Sequence, residues 1–252
     1  MTALRTLMTW QADALAAIEA GTLQAISAPR PSGKTELMIE VARRTAAFGG
    51  RVLYLTRGEP LAANGWSRLV EPLRQHCPEV IAKATRSTGR HSVELTTGGE
   101  VRFVSVGASS RGVAGFDLAV CDDVNIEAFT IAQLMARRVV WAGWGAPPSG
   151  VSALRFGADL GDDLDDEATW LKANPGIGTT VTLDRLRQWQ RAMPAEVFAR
   201  EALNLVDPAA RRTSGVSGHV TLRQLLAARA TAAEADALAT PAPEIIEGVG
   251  VS

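Results

Sequence analysis

A chain of 252 residues with 46% hydrophobic content is long enough for one large α/β domain, or for one domain plus part of a second, with a well-packed core. Its 26 basic and 27 acidic residues leave a net charge of −1, so no global basic excess advertises nucleic acid and any such contact rests on local patches. Two cysteines, Cys77 and Cys121, lack metal-ligand spacing and argue against a disulfide framework; with neither a signal-peptide core nor a run of membrane-span length, the expected setting is a reducing, cytosolic one.

In chain order, Thr9-Trp10-Gln11 opens an amphipathic helix that Gly21 ends. Leu23–Ser27 reads as a short buried strand, and Glu36–Arg44 as a helix stopped by Gly49-Gly50. Arg51–Thr56 is a second strand. Residues 59–76 look helical, with Gly65 and Pro72 interrupting the pattern. Strands at 92–96 and 100–105 flank Thr97-Gly98-Gly99, a hairpin signal. Phe116–Cys121 is a further buried strand, in which Cys121 is a small hydrophobe. A helix fits 126–137 and a strand fits 138–142. Strands separated by helices imply an α/β fold with a mostly parallel sheet.

The character changes after Ala146. Pro147-Pro148-Ser149-Gly150 is a loop, and the acidic run from Asp159 to Glu167 reads as a solvated loop capping the next helix rather than a calcium loop, whose spacing it lacks. A helix is predicted over 182–203 with a break near Pro194, an Ala-rich helix over 222–239, and a linker at Thr240-Pro-Ala-Pro243.

Two short segments carry chemistry. Ala28-Pro-Arg-Pro-Ser-Gly-Lys-Thr35 lies between a strand and a helix, the context a phosphate-binding P-loop needs. Its backbone N–H groups and the helix N-terminus would cradle phosphate, Lys34 would reach the outer phosphates, and the Thr35 hydroxyl would sit on Mg²⁺. Ala28 stands where the motif begins with Gly, and Pro29 and Pro31 stiffen the loop; the plain alternative is a Gly-Lys-Thr tripeptide in an ordinary turn. The second segment, Leu118-Ala-Val-Cys-Asp122-Asp123, places two carboxylates at a strand end where α/β sheets open to ligand. Asp122 suits the metal side and Asp123 suits the attacking water; the alternative is a polar strand end.

Taken together, the chain resembles the ATPase part of the large terminase subunit, the DNA-packaging motor of tailed bacteriophages. The resemblance spans about residues 5–207 and is carried by Trp10-Gln11, Arg30-Pro-Ser-Gly-Lys-Thr35, Arg51–Thr56, the run from Ser110 to Asp123, Asp165-Asp-Glu-Ala-Thr-Trp-Leu-Lys-Ala-Asn-Pro-Gly-Ile-Gly178, and Phe198-Ala-Arg-Glu-Ala-Leu-Asn204. It implies a P-loop NTPase fold of the RecA/ASCE type, three-layered around a mostly parallel sheet. The expected organisation is an ATPase core over 1–148, a helical linker or lid over 149–240, and over 241–252 a linker and the start of a nuclease domain that does not continue. Gly250 stands where that domain would carry a metal-binding Asp, so no nuclease activity is expected of this chain.

The resemblance also assigns roles. Catalysis would fall to Lys34, Asp122, Asp123 and Arg30, the last acting in cis on the phosphates. Nucleotide binding would fall to Gln11, Arg30, Pro31, Ser32, Gly33, Lys34 and Thr35, with Gln11 reading adenine, and Mg²⁺ would be held by Thr35 and Asp122. Asp123 replaces the family's Glu, one methylene longer. ATP and Mg²⁺ are the implied cofactors. Double-stranded DNA, a portal protein, a small terminase subunit, further copies in a ring and a separate nuclease polypeptide are the implied partners, in the cytoplasm of an infected bacterium and away from membranes. Arg111 is a candidate for phosphate, DNA or a neighbour's nucleotide, and Arg86, Arg90, Arg137 and Arg138 are candidates for DNA. Trp141, Trp144, Trp170 and Trp189 read as packing residues, and His76, His91 and His219 receive no role. Two other readings stay open: a helicase-like ATPase that remodels nucleic acid, and a degraded, non-hydrolysing assembly module.

Overall fold

The structure, a computed structural model, describes residues 6–87, 90–106 and 115–206. Arg111, His219, the Ala-rich helix, the linker at 240–243 and the closing residues 244–252 lie outside the described residues, as does the Arg90 side chain.

Helix α1 (Thr9–Glu19) precedes β1 (Ala25–Ser27), α2 (Lys34–Ala47), β2 (Arg51–Thr56) and α3 (Glu59–His76). Then come β3 (Ile81–Ser87), β4 (Arg90–Leu95), β5 (Glu100–Ser105), β6 (Phe116–Asp122), α4 (Ile126–Gln133), β7 (Ala136–Gly143) and β8 (Ala153–Arg155). Three short helices follow: α5 (Glu167–Ala173), α6 (Leu183–Ala192) and α7 (Ala195–Glu201).

The strands form one eight-stranded sheet in the order β3-β4-β5-β2-β6-β7-β1-β8. Pairing is parallel from β5 through β8 and antiparallel only at β3-β4 and β4-β5. Side chains alternate across the sheet. Val52 and Tyr54 of β2 face a core built with α1, α2 and α3, while Leu53 and Leu55 face the one built with α4. Helices on both faces give the three-layer α/β arrangement that the sequence predicts. A third cluster, with Trp170, Leu186, Phe198 and Leu203 at its centre, unites α5, α6 and α7.

Several elements differ from the sequence prediction. Helix α3 runs unbroken through Gly65 and Pro72, because Trp66, Leu69, Val70 and Leu73 are all buried and packing outweighs the bond that Pro72 cannot make. The helix predicted over 126–137 stops at Gln133, and Ala136 already pairs with Phe116. By contrast, the break predicted near Pro194 within the 182–203 helix is present: it parts α6 from α7, with Pro194 as the N-cap of the second. Strands β3 and β8 have no counterpart in the prediction. β3 is a polar edge strand and β8 only three residues long, so neither shows the apolar alternation that marks a strand.

Candidate nucleotide site

Every strand that carries site residues ends at the same edge of the sheet, where the chain leaves β1, β2, β6 and β7. The loop after β1 is short and deeply set. Ala28 is fully buried, and its N–H donates to the Gly143 carbonyl at 3.1 Å. Asp123 and Asn204 alone among described non-glycine residues have positive φ, so the Ala28 position does not call for Gly. Gly33 does: its φ is +89°, and a Cβ there would lie 2.7 Å from both Gln11 Nε2 and Met8 Cε. Helix α2 begins directly after Gly33 with no side chain capping it, so its partially positive end faces the loop.

Lys34 folds back under this loop. Its Nζ donates to the Ala28 carbonyl (2.6 Å), the Pro29 carbonyl (2.9 Å) and Ser32 Oγ (3.2 Å). Burial pushes the Lys34 ammonium down to about 7, with Asp122 opposing that fall and Arg30 adding to it. Arg30 and Pro31, by contrast, lie exposed at the loop's crest.

Thr35 Oγ1 donates to Asp122 Oδ1 at 3.3 Å, and Tyr54 OH donates to Asp122 Oδ2 at 2.9 Å. β7 lies between β1 and β6, yet the first turn of α2 reaches across it to this carboxylate. Burial raises the Asp122 pKa, while the bonds from Tyr54 and Thr35 and the charge of Lys34 pull it down. Cys121 next to it is pushed up to about 12 by burial and is inert as a thiolate.

This donor set, a hydroxyl beside a buried carboxylate, suits a hard cation ligated by oxygen. The described residues hold no cluster of three or more His, Cys, Asp or Glu that would cage a metal. Magnesium fits such a site because it keeps most of its waters and takes one or two carboxylates plus substrate phosphates.

Asp123 has φ +56°, and its N–H donates to the Ala142 carbonyl at 2.7 Å. Arg30 Nη2 and Arg57 Nη2 both donate to its Oδ2, Arg57 at 2.7 Å. The Arg30 guanidinium lies 5.9 Å from the Trp144 ring centroid, so Trp144 stacks on a cation rather than merely packing. Trp141 and Trp170 are buried and donate to backbone carbonyls, as packing residues do. Arg57 is absent from the sequence expectation; an arginine directly after the second strand was the available signal.

Gln11 is buried and both ends of its amide are engaged. Nε2 donates to the Gly33 carbonyl at 2.8 Å, and Oε1 accepts from the Met8 N–H at 2.8 Å. It therefore braces the loop where α2 begins. It also borders a cavity of about 180 Å³ with Leu7, Met8, Ile39, Leu69 and Thr180 among its walls.

The segment after α5 lies directly on the loop. Thr180 Oγ1 donates to the Pro31 carbonyl at 2.9 Å, and the Arg30 N–H donates to the Glu201 carbonyl at 3.2 Å. Gly176 comes so close that a Cβ would sit 3.3 Å from the Ser32 carbonyl oxygen and would strike Thr180 Oγ1. Asn204, buried and with φ +49°, ties the same segment to the sheet. Its Nδ2 donates to Ser27 Oγ (2.9 Å) and to the Phe156 carbonyl (2.7 Å), and its Oδ1 accepts from the Gly145 N–H at 2.5 Å.

The acidic run is a capping loop laced by cations. Lys172 bridges Asp159 and Asp162, and Asp166 caps α5. The candidate DNA arginines fall in two places, Arg86 and the Arg90 backbone side by side in β3 and β4, and Arg137 with Arg138 in β7. The strand register carries Arg86 towards the edge that holds Asp122, whereas Arg138 lies opposite Leu118 near the other end of the sheet, beside Arg137. Arg138 donates to the Ile18 carbonyl at 2.5 Å and Arg137 pairs with Asp117 at 3.7 Å. Among the described residues no helix is long and apolar enough to cross a membrane.

No protein-family model matches the sequence, and no curated protein matches it. Solved structures do. The large terminase of bacteriophage HK97 aligns with a TM-score of 0.63 at 20% identity, over 79% of this chain and 50% of the terminase. The ATPase domain of the Thermus phage P74-26 large terminase aligns with a TM-score of 0.47 at 15% identity, over 75% of this chain and 91% of that domain. The chain thus spans half the length of the HK97 protein. Its α/β fold, with a mostly parallel sheet between two layers of helices, is the fold of the matching half of the HK97 large terminase.

Proposed function

We propose that this chain is the ATP-hydrolysing motor subunit of a phage DNA-packaging terminase. The observation that carries the reading is the convergence of Lys34, Thr35, Asp122 and Asp123 at one sheet edge: Thr35 bonds Asp122, and Asp122 is the strand residue just before Asp123. That set is what hydrolysis of a nucleoside triphosphate requires.

In this reading the loop and the start of α2 bind the phosphates, with Lys34 turning its ammonium from the loop carbonyls to the outer phosphate oxygens. Thr35 and Asp122 hold Mg²⁺, which when bound offsets phosphate charge. Asp123 orients the attacking water and takes up its proton as the water oxygen bonds to the γ-phosphorus and ADP leaves. Arg30, at the loop crest, stabilises charge on the transferring group. Gln11 fixes the loop and borders the cavity beside it, where the base of ATP would lie.

The motor would contact backbone phosphates of double-stranded DNA, largely without regard to sequence. Arg86, on the edge strand β3 and towards the site edge, is better placed for this than Arg137 and Arg138. The partners would be a portal protein, a small terminase subunit and further copies of the chain in a ring, in the cytoplasm of the infected bacterium.

The test is phosphate release from Mg-ATP with and without duplex DNA. The reading expects basal turnover that duplex DNA stimulates, with no strand separation. Unwinding of a forked duplex would favour a helicase-like role. Tight nucleotide binding without turnover under any condition would favour an assembly module.

A further inference from the structure

Arg57 belongs to none of the roles above, although the fold delivers it to the reacting end of the site. Thr56 of β2 lies opposite Asp122 of β6 in parallel register. The next residue on each strand, Arg57 and Asp123, therefore emerges beside the other at the edge where the phosphate loop sits. Arg57 then holds Asp123 at two points. Its Nη2 donates to the carboxylate Oδ2 at 2.7 Å, and its Nε donates to the main-chain carbonyl of the same residue at 3.4 Å. The Asp123 N–H is bound to the Ala142 carbonyl. The N–H, the carbonyl and Oδ2 of Asp123 are thus held, and Arg57 alone holds both its main chain and its carboxylate, while Arg30 shares Oδ2. Asp123 also has φ +56°, a left-handed conformation that a side chain adopts only when its surroundings impose it.

We infer that Arg57 is a positioning residue for hydrolysis: it fixes the placement of the Asp123 carboxylate and thereby sets the turnover rate, without itself binding nucleotide. The inference rests on the hydrolytic reading above. A short carboxylate that must orient water has no spare reach, so its backbone turn and its side chain have to be placed together. A planar guanidinium with a fixed fork of donors can do both; an ammonium can meet only one point at a time. The Arg57 side chain is 57% exposed, so replacing it removes no core packing.

The experiment measures kcat and the Kd for Mg-ATP in the parent protein, Arg57→Gln, Arg57→Lys and Lys34→Ala. Misplacement of a reacting group by about an ångström costs on the order of 100-fold in rate, so Arg57→Gln is expected to lose about 10–100-fold in kcat while its Kd stays within about threefold of the parent. Arg57→Lys, which keeps the charge and loses the fork, should recover only a minor part of that loss. A kcat for Arg57→Gln within about twofold of the parent would overturn the inference, as would a Kd that weakens in step with kcat, since Arg57 would then act on the nucleotide itself. Full rescue by Lys would reduce Arg57 to a charge and also overturn it. A parent without turnover, or a Lys34→Ala variant that keeps it, removes the hydrolytic reading and this inference together; loss in Lys34→Ala with an unaffected Arg57→Gln removes this inference alone.

Discussion

Thr35 and Asp122 are 87 residues apart in sequence, and the Thr35 hydroxyl donates to the Asp122 carboxylate at 3.3 Å. The bond joins the first turn of α2, after the loop that follows β1, to the end of the strand bearing the acidic pair. It places the two oxygens proposed for one magnesium ion side by side. Tyr54, from the strand next to Asp122, completes the arrangement by donating to the other carboxylate oxygen at 2.9 Å.

Asp122→Asn should therefore separate stability from function. Burial raises the Asp122 pKa. A carboxyl with a raised folded pKa contributes stability that is fully present below its unfolded pKa and is lost as pH rises through the folded one, so at neutral pH its ionised form is a net cost. Without nucleotide, the thermal midpoint of Asp122→Asn at neutral pH should equal or exceed that of the parent. Its nucleotide affinity should depend less on Mg²⁺ than that of the parent. A large fall in the midpoint with magnesium dependence intact would contradict the assignment.

Nucleotide binding should be linked to proton uptake at Lys34. Burial holds its pKa down to about 7, and a phosphate beside it would raise that value. A cation whose pKa rises on binding gains affinity below its free pKa and loses it above, so Mg-ATP should bind most tightly below about pH 7 and weaken as pH rises beyond it. Calorimetry near pH 8 in buffers of different ionisation heat should show uptake of a fraction of a proton. Binding without proton exchange would place Lys34 away from the phosphates.

Asp123→Asn should bind Mg-ATP about as well as the parent and lose turnover, because the amide cannot accept the water's proton. Asp123→Glu is the complementary variant. Single-turnover phosphate release beside a nucleotide titration separates the two effects. Equal rates for Asp123→Asn and the parent would remove Asp123 from the mechanism.

Asn204→Ala should destabilise the protein well beyond what its loss of side-chain bulk explains. Ser27 Oγ, the Phe156 carbonyl and the Gly145 N–H all lose a partner. Each buried polar group left unsatisfied costs roughly 1–3 kcal/mol. Chemical denaturation should show a loss of at least about 2 kcal/mol, and a loss below about 0.5 kcal/mol would mean the network is solvated.

Features built from neighbouring residues are legible in the amino-acid sequence. A strand, a loop ending in Gly33-Lys34-Thr35 and a helix are contiguous, and so are the apolar run and the two carboxylates at 122 and 123. The near-continuous burial of β2 and β6 likewise shows in runs of adjacent apolar side chains. The roles of Tyr54, Arg57 and Asn204 are not legible there, because each acts through register or through a contact across the chain. Arg57 meets Asp123 only because Thr56 pairs with Asp122. Asn204 meets Ser27 across 177 residues. Strands β3 and β8 escape for another reason: their place in the sheet comes from a neighbour's unpaired edge and not from their own composition.

The most direct test of the account is the rate of phosphate release from Mg-ATP by the purified chain against that of Lys34→Ala. Lys34 is the buried cation at the base of the loop, bonded to the Ala28 and Pro29 carbonyls and close enough to Asp122 to feel its charge. The account predicts measurable turnover in the parent, none above background in Lys34→Ala, and nucleotide binding weakened by about 1.5–3 kcal/mol, the range of a charge-assisted contact. Parental turnover retained in Lys34→Ala would contradict it.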